Sequence, residues 1–66
     1  MRVMVRHMEK RRSLNVPEKS KVIDVIRKVK VNPETVIVKR GEEILLEDEV
    51  VGKNDKLEFI RIISGG

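Results

Sequence analysis

The apolar residues of this chain change their spacing twice, and that change limits the fold more than any other feature. In Arg2-Val3-Met4-Val5-Arg6-His7 they alternate, which sets Val3 and Val5 on one face of a strand and Met4 with the arginines on the other. From Ser20 the period lengthens: Val22, Val25, Ile26 and Val29 fall within about 100° of one helical face, with Ile23 flanking and Asp24, Arg27 and Lys28 turned away. After Asn32-Pro33 strand-like runs return. A single amphipathic helix among strands has to cover one face of one sheet.

The boundaries follow from local chemistry. Met8 to Arg11 reads as a short charged link, and Leu14 and Val16 resume the two-residue period until Pro17 stops it, giving an N-terminal hairpin. Ser20 is the expected N-cap, and Asn32-Pro33 ends the helical segment because the residue before proline avoids helical angles. Thr35 to Lys39 is a β-branched strand, Arg40-Gly41-Glu42 a turn, and Glu43 to Leu46 a short strand, while Asp48 to Val51 is ambiguous. Gly52-Lys53-Asn54-Asp55 is a strong turn signal, and Lys56 to Ile63 is the last strand. The order strand, strand, helix, strand, strand, strand is best met by an α+β β-grasp with a mixed sheet of four to five strands. Its first and last strands then lie parallel at the sheet centre, with the helix over Val3, Val5, Leu57 and Phe59. One domain is expected over residues 1–63, followed by a tail at 64–66.

Composition removes several functional classes. Sixty-six residues allow one small core. With no cysteine and His7 as the single histidine, neither disulfides nor a clustered metal site is expected. No apolar run is long enough to span a bilayer and the N-terminus lacks the apolar stretch of a secretory signal, so the expected location is the cytoplasm. Residues 1–31 carry ten Lys and Arg against three Asp and Glu, whereas residues 32–66 carry five against eight. A basic half of this kind attracts acidic partners or nucleic acid, although mixed solvated charge is the commoner meaning.

The chain ends Ile63-Ser64-Gly65-Gly66. Together with the turn Gly52-Lys53-Asn54-Asp55 and the strand Lys56-Leu57-Glu58-Phe59-Ile60-Arg61-Ile62-Ile63, this ending resembles that of the ubiquitin-like sulfur carriers of the ThiS and MoaD type and of the related archaeal small modifiers. The coarse element order matches over the whole chain. The net charge of +4 departs from the acidic surfaces common among MoaD-type carriers. The resemblance implies activation of the C-terminal carboxylate by a ubiquitin-activating-like adenylyltransferase. The activated carrier would then form a thiocarboxylate for thiamin, molybdopterin or tRNA thiolation, delivered by a sulfur-accepting synthase, or an isopeptide bond to a target-protein lysine.

The chemistry of such a tail can be argued from the residues themselves. Gly65 and Gly66 have no Cβ, so they pass narrow channels and adopt angles closed to other residues. A C-terminal carboxylate is ionised at neutral pH and can attack the α-phosphorus of ATP held by a partner. The resulting acyl-adenylate is electrophilic toward sulfur or an amine. The sequence has no phosphate-binding glycine loop followed by lysine and no recognisable nucleophile and base pair, so the chain is expected to be a carrier and substrate, with ATP bound by the partner and no cofactor of its own.

A second surface follows from strand parity. If Leu57 and Phe59 face the helix, Ile60 and Ile62 face the other way, where a single-layer sheet leaves them uncovered. Met4 and Ile37 should share that face and form with them an apolar partner-binding patch beside the tail, with Arg61 steering the approach. A bulge near Ile60 is the competing reading. Lys10-Arg11-Arg12 and Glu47-Asp48-Glu49 read as solvated charge, and His7 as a surface residue. The runner-up function is a small RNA-binding or protein-interaction β-grasp module with an incidental diglycine. The single aromatic residue leaves no stacking platform, so nucleic acid is not the expected partner, and a monomer is expected.

Overall fold

The computed structural model describes residues 1–62, and the expectations for Ile63, Ser64, Gly65 and Gly66 lie outside the described residues. Strands β1 (Arg2–His7) and β2 (Lys10–Asn15) are followed by helix α1 (Val22–Val29), a single 3-10 turn over Pro33–Thr35, then β3 (Val36–Arg40), β4 (Glu43–Leu45) and β5 (Lys56–Arg61). The sheet order is β2-β1-β5-β3-β4. β1 and β5 run parallel, with Val5 opposite Leu57 and His7 opposite Phe59, and the other pairs are antiparallel. This is the expected β-grasp.

One face of the sheet meets the helix. Val3, Val5, Val38, Leu45, Leu57 and Phe59 from the strands pack with Val22, Val25, Ile26 and Val29 of α1 in one buried cluster. Each such side chain contributes about 1.5–3 kcal/mol over its exposed state. Eight residues of mostly β-branched helix are too few to persist alone, so α1 exists because its apolar stripe is held on the sheet.

The helix start differs from the expectation. Lys21, not Ser20, occupies the N-cap position, and since lysine has no acceptor the cap works in one direction only, Asp24 Oδ2 accepting from the Lys21 amide at 2.9 Å. Two further amides are taken by carbonyls of the loop after β4: Val22 N–H donates to Glu49 at 2.9 Å and Ile23 N–H to Glu47 at 3.0 Å. Ser20 is instead buried, its hydroxyl donating to the Pro17 carbonyl at 2.6 Å. The loop that reads as ambiguous therefore does the capping, and Lys21 and Val50 form an isolated antiparallel bridge there.

The helix also ends earlier than Asn32-Pro33 suggests. Lys30 takes a left-handed conformation, φ 67°, and its amide returns to the Ile26 and Arg27 carbonyls, closing the helix after Val29. Asn32 then caps the 3-10 turn, accepting from the Glu34 amide at 3.0 Å. The expected charged link from Met8 to Arg11 contracts to Met8-Glu9, since His7 already pairs with Lys10. Both turn residues have positive φ, 51° and 67°, the pattern of a tight hairpin turn matched to strand twist.

Candidate functional site

Parallel pairing of β1 and β5 brings their C-terminal ends to one end of the molecule. There the Met8-Glu9 tip stands beside the end of β5, and Ile62 donates its amide to the Thr35 carbonyl at 2.8 Å, fixing the last described residue against the start of β3. His7 meets Phe59 edge to face, ring centroids 6.2 Å apart, which packs the end of β1 against β5 under this corner. A shallow hollow of about 270 Å³ opens there, its lining including Met8, Phe59, Ile60 and Arg61.

The register of β5 against β3 is continuous from Leu57 opposite Arg40 to Arg61 opposite Val36, with no bulge at Ile60. Ile60 therefore lies directly opposite Ile37 on the open face. Ile60 and Ile62 are 38% and 41% exposed, and Ile37 is half-buried. Met4 is 39% exposed on the same face but is not their neighbour. It pairs with Lys56, four residues of strand from Ile60, or roughly 13 Å. The row between them is charged: Arg6 lies opposite Glu58 at 3.7 Å, and Glu58 lies opposite Lys39. Arg61 is exposed but, being paired with buried Val36, falls on the helix-side parity of β5.

The open face carries apolar residues that the sequence reading passes over. Ile44, opposite Lys39 on β4, is 59% exposed, and Leu46, just beyond β4, is 66% exposed. Strict alternation in Glu43-Ile44-Leu45 would have found Ile44, because Leu45 is the inward residue. Met8, 63% exposed, needed the parallel topology to place it beside the end of β5.

The acidic run has a structural task. The Glu49 carboxylate accepts from the Leu46 amide at 2.5 Å, and no group of three or more metal-ligating side chains gathers among the described residues. No helix among them is long and apolar enough to cross a membrane.

A family model described as small archaeal modifier protein 2 matches residues 1–63. The chain belongs to this family. Sulfur carrier protein TtuB of Thermus thermophilus is 38% identical over 66 residues, covering 100% of this chain and 100% of TtuB. The two comparisons and the β-grasp place the chain among the ubiquitin-like sulfur carriers and small modifiers. For a member of this family, the corner at Ile60, Ile62 and Met8 is the body of the protein adjoining the tail, and the catalytic chemistry belongs to other proteins.

Proposed function

We propose that this small modifier acts as a sulfur carrier through the carboxylate of Gly66. A partner adenylyltransferase binds ATP, the carboxylate oxygen attacks the α-phosphorus, and pyrophosphate leaves. Hydrosulfide, or sulfur delivered at that oxidation level, then displaces AMP and leaves a thiocarboxylate. A lysine amine attacking the same adenylate would give an isopeptide bond instead. The observation that carries this reading is the Ser64-Gly65-Gly66 ending on a chain that aligns over its full length with a protein named as a sulfur carrier.

The contribution of the body is delivery. Ile60, Ile62 and Ile37 offer an uncovered aliphatic surface next to the departure of the tail from the sheet, and burying them would hold the carrier while its carboxylate enters the partner's site. Arg61 at the same corner would steer an acidic entrance.

Intact-mass spectrometry tests the proposal after incubation with the activating enzyme, ATP and sulfide. The expected product has one oxygen exchanged for sulfur, and a chain lacking Gly65 and Gly66 should stay unmodified while keeping its circular dichroism spectrum. An unchanged mass for the intact chain, with an enzyme shown to activate TtuB, would overturn the reading.

A further inference from the structure

The net charge of the chain is +4, and the fold concentrates it. Burial alternation and register identify the strand residues that face away from α1. Their cations are Arg2, Arg6, Arg11, Lys39 and Lys56, and their one anion is Glu58, already 3.7 Å from Arg6. The open face thus carries +4, the charge of the whole chain, and the side chains of the helix side, turns and edges sum to zero. A hollow of about 360 Å³ lies on this face, with Met4 at its lining between Arg6, Arg11 and Lys56.

Three kinds of partner would answer such a field: a phosphate backbone, an anionic lipid surface, or an acidic protein surface. Single-stranded nucleic acid is held by stacking as well as charge, and Phe59, the one aromatic, is 4% exposed on the helix side. Interfacial lipid binding draws on an amphipathic helix or bulky anchors, and the apolar stripe of α1 is spent on the core. What remains on the open face is aliphatic: Met4, Ile37, Ile44 and Ile60 interleaved with the cations. Aliphatic groups gain nothing from phosphates, but they desolvate well against a protein surface whose carboxylates meet the surrounding cations.

We infer that the open face, from Arg11 and Lys56 across to Ile60, docks a protein surface of aliphatic residues rimmed by carboxylates, and that this surface belongs to the activating adenylyltransferase. The partner's identity rests on the carrier reading above, whereas the chemistry of the surface does not. Ile62, the last described residue, stands at the edge of the same face, so one partner can hold the body and receive the carboxylate.

Two measurements test this. Isotope-labelled protein is titrated with an alternating glutamate–leucine peptide, with polyuridylate, and with phosphatidylglycerol vesicles. The peptide should bind most tightly, shift the amides of Met4, Arg11, Lys56 and Ile60, and lose roughly tenfold in affinity between about 50 and 200 mM salt. Tighter binding of RNA or vesicles, shifts on the α1 side, or no peptide binding would overturn the inference. In ATP–pyrophosphate exchange with the activating enzyme, R11E/K56E should raise KM for the carrier about tenfold and spare kcat, as expected for lost steering contacts. An unchanged KM would remove the enzyme as the partner. If the unaltered chain supports no exchange, the carrier reading fails while the peptide titration still decides the face.

Discussion

The Arg40 guanidinium donates to Asp55 Oδ2 at 3.0 Å, and the same oxygen accepts from the Gly52 amide at 2.6 Å. One carboxylate thus ties the end of β3 to the turn that launches β5, and Glu43 takes a second nitrogen of Arg40 at 3.0 Å. Replacing Asp55 by alanine should cost about 1–2 kcal/mol, chiefly by leaving the Gly52 amide without its acceptor. Asp55→Asn should cost less, because its amide oxygen still accepts. Urea unfolding of both variants measures the difference. Bonding to Asp55, then to Glu43, raises the Arg40 pKa above its ordinary 12.5, so this contribution is fully present below that value and is lost only as pH rises beyond it.

Lys30 closes α1 in a left-handed conformation that a Cβ disfavours. Lys30→Gly should therefore stabilise the fold by about 0.5–1 kcal/mol, read as a melting point several degrees higher. A fall would show that the lysine side chain contributes more than its backbone costs.

The hairpin tip makes the same argument with two residues. Met8→Asn with Glu9→Gly places the preferred residues of a tight hairpin turn at φ 51° and 67°, and should raise stability by about 1 kcal/mol. Met8 also borders the corner beside the tail, so the pair of substitutions should weaken activation of the carrier even as the melting point rises. Parallel thermal and exchange measurements separate the two effects.

Core and surface isoleucines should behave oppositely. Ile26, 2% exposed, should cost about 2–5 kcal/mol when replaced by alanine, enough to threaten a chain of this size. Ile60→Ser with Ile62→Ser should leave unfolding nearly unchanged and abolish efficient transfer to the partner. Loss of folding in the second variant would contradict the exposed placement of both residues.

Strand alternation was legible in the sequence because it reports burial directly: Val3, Val5, Leu57 and Phe59 are inward as their period requires. The parallel centre followed from element order. The turns were legible only where a residue type carries the conformation, as at Gly41 and Asn54, whose φ values are 64° and 63°. Met8, Glu9, Lys19 and Lys30 also adopt positive φ, and nothing in those side chains announces it. Ser20 misled because a cap can be replaced by carbonyls from a distant loop, a tertiary fact invisible to local pattern. At the candidate site, facing was legible but distance along the strand was not. Parity put Met4 and Ile60 on one face, while only the register showed Arg6 and Glu58 between them.

The strand that fills the middle of the sheet is the last described element to leave the ribosome. β1 and β3 have no shared neighbour until β5 arrives, so a prematurely terminated chain holds two half-sheets and an uncovered core. Such a fragment cannot fold and therefore cannot compete for the activating partner as a carrier without a reactive end. Completion of synthesis and acquisition of a dockable body become one event.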